Sequence, residues 1–533
     1  MQKLTTLDRM FSSLDSETTN GVLGGLVLYD PPQDGRRAAD AGFMRERIAE
    51  RIDYLPPLYR EVKKAPLRMD HDWLGRAKRV DLTKHVRTLT LPAPGTHDQL
   101  AREVSRLMST DLDMSGPPWD YIVIEGLEDG SVAHLLRVHH LVVDGGSMPR
   151  LWDALQDEPT MPLVKEDEPG FPEPRFGTPE MLVREAVGVA KRPVDWTLFS
   201  AKMAGWMVKA VKEQGVVGAL LGPTRIMLPG KAAKPIQAAF NPMLRKRGTP
   251  EIVPYVPRLV APKTPFNRRV TAQRTFVFAD LPLADFKDSG KLIGASINDM
   301  VLGVCAGALR RYMTQRGIST DEPLIVCVPV SIRQPDEKIQ WANFVHMIFA
   351  PFPVDIENPV ERVRKSSEAV KLSKGSFDAM PTVHLREMFK FIPPPTFNLM
   401  VKAFVKLPGN WSRGTWNVVV SNVKGPSKPN HVDGLRVKGY WPASFLSIGG
   451  GINITLQSYT DRICFGIVGA PEQAGDLQPL VDALGEVLAE TVAAVKASAP
   501  TPLVPRRETE RTTPAPRARR PRATSQRARR TSS

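Results

Sequence analysis

Apolar and polar positions follow three different rhythms along the 533-residue chain. Up to about residue 160, Leu100, Val104, Leu107 and Met108 recur at helical spacing. Tyr121-Ile122-Val123-Ile124 and Val132 to Val138 then read as two strands, joined at the turn signal Glu128-Asp129-Gly130. A second helix is expected from about Ser147 to Leu155, so residues 1–160 predict an α/β lobe.

Residues 161–265 change character. Proline-rich stretches such as Glu168-Pro169-Gly170-Phe171-Pro172 surround helical segments that mix Trp196, Leu198, Phe199, Met203, Trp206, Met207 and Val211 with Lys202, Lys209 and Lys212. This region reads as a crossover between lobes. Its apolar stripe packs on the protein body or lies on a membrane surface.

From 266 to 498 the α/β rhythm returns. Strands are expected at Leu324 to Val330, Val345 to Phe352, Asn417 to Ser421, Ile452 to Gln457 and Cys464 to Val468. Ser296-Ile297-Asn298-Asp299 has the look of a helix start, with Ser296 as N-cap and Asp299 complementing the helix dipole. A final amphipathic helix carries Leu477, Leu480, Val481, Leu484, Val487 and Leu488. Each half can therefore build a mixed sheet covered by helices, and no short repeat relates the two.

Charge alters this picture only at the end. The net charge is +15, but the ten arginines and two glutamates after Pro500 supply +8 of it. Residues 499–533 are rich in Pro, Ser, Thr and Ala, with almost nothing to bury, and are expected to be disordered. They form either a solvated extension or a polybasic segment drawn to anionic lipid, and nucleic-acid binding is not expected of the protein. Cys305, Cys327 and Cys464 are scattered among apolar neighbours and read as buried free thiols, without metal-ligand spacing. No run approaches the ~18 apolar residues of a membrane span, and the start lacks a signal peptide's apolar core, so a cytoplasmic protein is expected.

The chemistry concentrates at His139-His140-Leu141-Val142-Val143-Asp144-Gly145-Gly146-Ser147. Side chains alternate along a strand, so the two histidines face opposite ways where the second hairpin strand ends. One ring can enter a channel while the other anchors the strand. A neutral imidazole, with a reference pKa of about 6.5, can take a hydroxyl proton while the oxygen attacks a thioester. His140 is the expected base, His139 a satisfied core histidine. Asp144 can fix the loop carrying the imidazole, and Gly145 can permit its turn.

This motif resembles the HHxxxDG signature of the coenzyme A-dependent acyltransferase superfamily, which includes chloramphenicol acetyltransferases and peptide-synthetase condensation domains. More narrowly, the chain resembles the bacterial wax ester synthase/diacylglycerol acyltransferase family along nearly its whole length before the tail. The resemblance is carried by Leu4 to Phe11, His85-Val86-Arg87, Leu91 to Gly95, Ile124 to Leu127 and Asn298-Asp299, then by Pro329 to Arg333, Ser421 to Pro426 and Gly450 to Ile454. Two departures stand out: Pro117-Pro118-Trp119 where the family has Pro-Leu-Trp, and Lys424 where proline is usual.

The resemblance implies two chloramphenicol acetyltransferase-like lobes with an active-site channel between them. It implies O-acyl transfer from acyl-CoA, a co-substrate, to diacylglycerol or a long-chain alcohol, with no bound cofactor and no metal. His140 would be the general base. Asn298 would orient the site or bind the oxyanion, unless it only caps its helix. Asp144 would turn away from the channel toward an arginine, for which Arg333 is a candidate unless it simply faces solvent; Gly145 would allow close approach of the donor. Peripheral contact with the inner membrane face or lipid droplets is also implied. Two other readings stay open: a condensation-type enzyme using a carrier-protein thioester, and a non-catalytic lipid-surface binding protein.

Overall fold

Strong local signals begin two of the helices, one of which carries Asn298. Thr96 accepts from the Gln99 backbone N–H while the Gln99 side chain accepts from Thr96 N–H, a capping box that starts the helix of Leu100 and Val104. Ser296 and Asp299 form the same reciprocal pair at 2.9–3.2 Å.

The computed structural model describes residues 2–4, 18–33, 38–165, 177–224, 261–331, 341, 345–378, 416–446 and 449–498. In chain order the strands are β1 (Gln2–Lys3), β2 (Val22–Tyr29), β3 (Arg60–Lys63), β4 (Trp73–Arg76), β5 (Val86–Thr90), β6 (Trp119–Glu125) and β7 (Val132–His139). The second half adds β8 (Thr275–Pro282), β9 (Leu324–Ser331), β10 (Val345–Phe352), β11 (Val418–Val423), β12 (His431–Val432), β13 (Leu435–Ala443), β14 (Ile452–Tyr459) and β15 (Arg462–Gly469). The longer helices are α1 (Ala41–Arg51), α2 (His97–Met108), α3 (Met148–Ala154), α4 (Thr178–Thr224), α5 (Leu283–Ile293), α6 (Ile297–Gln315), α7 (Pro359–Asp378) and α8 (Gln478–Ala497).

Two six-stranded mixed sheets organise the chain, ordered β12-β13-β2-β7-β6-β5 and β10-β9-β11-β14-β15-β8. The predicted hairpin is β6–β7, antiparallel with Ile122 opposite Leu135. All eight residues of β2 and of β7 are buried, as befits central strands covered on both faces. On the second sheet, Ile452, Ile454 and Leu456 of β14 pack into a core with α5, α6 and α8, while Cys464 and Val468 of β15 face the first core. The five strands expected in the second half are present, and α2, α3 and α8 fall where periodicity places them.

One arrangement has no counterpart in the sequence reading. Residues 435–443, deep in the second half, cross back as β13 and pair with β2 of the first sheet, from Ala443 opposite Gly24 to Val437 opposite Tyr29. Trp441 of this strand donates to the Ala279 carbonyl of β8, so β13 belongs to one sheet and packs on the other.

The crossover stretch contains α4, with Met181, Glu185 and Phe199 on its buried side. Glu185, 1% exposed, accepts from the backbone N–H groups of Leu67, Met69 and Asp70 at 2.7–3.1 Å and thereby ties the helix to the first lobe. Cys305, Cys327 and Cys464 are buried, and burial pushes the Cys305 and Cys464 thiols up to about 12. Among the described residues no single helix is long and apolar enough to cross a membrane. Residues 499–533 and Arg333 lie outside the described residues.

Candidate active site

β7 ends on its own hydrogen bonds, and that ending delivers His140. The His139 N–H donates to the Pro118 carbonyl at 3.0 Å, and the His140 N–H donates to Gly21 O at 2.6 Å. The chain then turns: Val142 N–H donates back to His139 O at 3.1 Å, and Leu141 N–H to His139 Nδ1 at 3.2 Å. Leu141, Val142 and Val143, each at most 3% exposed, plug the first core and pin the turn from below. His139 thus has a ring nitrogen occupied by its own turn.

His140 is 6% exposed, and its ring meets the Phe445 ring edge-on, with centroids 5.5 Å apart and planes at 85°. Phe445 follows β13, so its ring reaches the histidine from the second half of the sequence. The Phe445 carbonyl accepts from Asn453 Nδ2 at 2.9 Å, and Asn453 Oδ1 accepts from Thr455 Oγ1 at 2.8 Å. Asn453, Thr455 and Gln457 are buried on the face of β14 turned away from the second core.

Asp144 is 2% exposed, and its Oδ1 accepts from Ser147 N–H at 2.8 Å and from Ser147 Oγ at 2.5 Å. The carboxylate therefore closes the loop that leads into α3. Gly145 has ordinary backbone geometry, outside the left-handed region, and a Cβ placed on it would meet nothing within 4 Å. The turn does not need glycine's conformational freedom; what the missing side chain leaves is open space next to the histidine loop. The expected partner Arg333 falls outside the described residues.

Asn298 is the second residue of α6. Capping there is done by Ser296 and Asp299, which leaves the Asn298 amide to other work. It is half-exposed, and its Oδ1 accepts from Asn422 Nδ2 of β11 at 3.5 Å. The structure thus gathers His139, His140, Asp144 and Gly145 into one turn of the first lobe and sets Asn298 beside β11 in the second. Phe445, Asn453 and Asn422 were not singled out from sequence. Asn453 and Asn422 do lie within the family-like stretches Gly450 to Ile454 and Ser421 to Pro426, whereas Phe445 has no motif to mark it.

A further histidine, His134 of β7, takes no part in this turn. It is held by Tyr121 Oη at 2.6 Å and the Ala39 carbonyl at 2.9 Å, and burial lowers its pKa to about 3.

Comparison with known proteins agrees with this architecture. Residues 4–301 match the wax ester synthase/diacylglycerol acyltransferase catalytic domain, and residues 341–491 match the C-terminal domain of the same family. A probable diacylglycerol O-acyltransferase of Mycobacterium tuberculosis is 29% identical over 502 residues, covering 92% of this chain and 98% of the relative. A putative diacylglycerol O-acyltransferase of Mycobacterium bovis is 29% identical over 495 residues, covering 92% and 98%. Among solved structures, the wax ester synthase/diacylglycerol acyltransferase from Marinobacter aquaeolei VT8 superposes with a TM-score of 0.62 at 23% identity, over 93% of this chain and all of the other. The first condensation domain of the CDA synthetase gives 0.51 at 15% identity, over 93% and 99%, so the fold is shared with that superfamily. With both its catalytic and its C-terminal domain matched, the chain belongs to the wax ester synthase/diacylglycerol acyltransferase family and is an acyltransferase.

Proposed function

We propose that the protein transfers a fatty acyl group from acyl-CoA to the hydroxyl of diacylglycerol, yielding triacylglycerol, with a long-chain alcohol as the second acceptor. The acceptor rests on the names of the relatives, and the alcohol on the name of the family. His140 accepts the hydroxyl proton as the oxygen attacks the thioester carbonyl. Collapse of the tetrahedral intermediate breaks the C–S bond, and the proton passes to the departing thiolate, so the products are an ester and free coenzyme A. Asn298 offers an amide and helix N-terminal N–H groups to the oxyanion, or orients the site. Asp144 and His139 hold the turn, and Gly145 leaves room for the donor. The reaction needs no metal and no bound cofactor.

The observation that carries this reading is the His140 turn. Its backbone is fixed by Gly21 and its apolar neighbours are locked in the core, so an imidazole is held at a defined place at a strand end.

Peripheral contact with the inner membrane face or lipid droplets is supported by α4. Opposite its buried side, Val183, Val187, Val194 and Leu198 form a stripe 44–62% exposed, with Trp196 also half out and Arg184, Lys191 and Lys202 along the flank. Spending apolar side chains on solvent is costly unless a lipid surface takes them up.

Incubating the purified protein with palmitoyl-CoA and either diacylglycerol or hexadecanol, while following thiol release and neutral lipid, tests the reaction. His140→Ala is expected to lower turnover by about 10²–10⁴-fold with folding intact. A folded variant within a few-fold of the parent refutes the assignment.

A further inference from the structure

We infer that Phe445 is a positioning residue for His140, and that Asn453 sets Phe445, so that the second sheet aims the imidazole at the end of β7. The inference rests on the reading of His140 as base.

A ring can act as a stop only if its own backbone is fixed, and the chain after β13 is held at Phe445, Gly449 and Gly451. Asn453 Nδ2 donates to Phe445 O at 2.9 Å, and Thr455 Oγ1, donating to Asn453 Oδ1 at 2.8 Å, decides which way that amide points. Further on, Asn267 Nδ2 donates to Gly449 O at 2.6 Å and Gly451 N–H to Phe266 O at 2.7 Å. Asn267 is in turn gripped by Asn417, whose Nδ2 donates to Asn267 Oδ1 at 2.5 Å. Asn267, Asn417 and Asn453 are each at most 4% exposed, and a buried polar network of this kind holds its members only in one arrangement.

The other side of the contact is equally constrained. His140 has its N–H on Gly21 O, which fixes the backbone from which the side chain projects. The edge-on packing at 85° restricts the side-chain torsions, since aromatic pairs favour this geometry over a face-to-face one. A truncated ring at 445 removes this edge-on restraint on the imidazole. A misplacement of ~1 Å in a catalytic group costs on the order of 10²-fold in rate.

The test combines kinetics with NMR of ¹³C-histidine-labelled protein, the His140 signal being identified by its absence in His140→Gln. Phe445→Leu is expected to lower kcat by about 10–100-fold with KM for palmitoyl-CoA within a few-fold, and to move the His140 ring signal by removing the neighbouring ring current. Phe445→Tyr keeps a ring at the same place and restores both. Asn453→Ala, which leaves Phe445 in place but untethered, shifts the His140 signal and lowers kcat in the same direction. A Phe445→Leu protein with parental kcat, or one whose kcat falls while the His140 signal stays put, overturns the inference. The base reading fails separately, by turnover persisting in His140→Ala.

Discussion

Removing the Asp144 carboxylate separates a structural from a chemical role for the loop that carries His140. Asp144→Ala takes away the 2.5 Å acceptor of Ser147 Oγ and one of two acceptors of Ser147 N–H, which keeps the residue-144 backbone carbonyl at 3.0 Å, at a site 2% exposed. A hydrogen bond to a charged group contributes about 1.5–3 kcal/mol, and since only the hydroxyl loses its acceptor outright, the loss is expected in that range. Urea unfolding followed by tryptophan fluorescence reads this as a lower midpoint at unchanged slope, because the surface exposed on unfolding stays the same. Turnover falls as well, since the loop that ends the His140 turn loosens. Asp144→Asn keeps an oxygen acceptor in place and should recover most of the stability and the turnover. The reasoning is refuted if Asp144→Asn is as stable as the parent yet inactive, because the negative charge itself would then be serving the chemistry.

Three further outcomes are expected. Burial holds His134 at about 3 in the folded protein against 6.5 when free, so the unfolded chain binds the extra proton between those values; this contribution is complete above pH 6.5 and is lost at ~1.4 kcal/mol per unit as pH falls below it. Relative to His134→Gln, the parent should therefore lose about 2 kcal/mol more stability between about pH 7.5 and about pH 5, and parallel pH profiles would count against a buried neutral ring. Val194→Glu with Leu198→Glu on α4 should cut co-sedimentation with anionic phosphatidylglycerol vesicles on the order of tenfold while sparing turnover on detergent-dispersed substrate; undiminished binding would move the lipid contact elsewhere. Glu185→Ala leaves the N–H groups of Leu67, Met69 and Asp70 without their carboxylate, so amide exchange in that loop should accelerate, and unchanged protection would show that the helix is held by other contacts.

What was readable from sequence is what is encoded by neighbours. The β6–β7 hairpin has a turn signal between two apolar runs, and the α6 start has Ser296 and Asp299 three residues apart, so both were predictable within a residue or two. The His139 to Ser147 motif is likewise contiguous, and its turn closes on itself through the His139 carbonyl and the Asp144 carboxylate. β13 escaped because its partner β2 lies some 400 residues away, and nothing local in Leu435 to Ala443 announces which sheet it joins. Phe445 escaped for the same reason: an aromatic residue gains a role at His140 only after the crossover has carried it there. Pro118 is a departure whose place became clear only in three dimensions. Its carbonyl receives the His139 N–H, a bond that proline can still accept although it has no N–H of its own to donate.

The crossing of β13 also limits how the enzyme can move. β2 is sandwiched between β7 and β13 in one hydrogen-bonded ladder, so pulling β13 away would unzip a strand pair and bare the edge of β2 from Gly24 to Tyr29. Any motion of one sheet past the other therefore has to carry β13 along with β2, with the bending taken up by the chain that leads into and out of that strand. For the same reason a polypeptide cut at the crossover would yield a sticky first fragment, its seam soothed only by supplying residues 431–446 in trans.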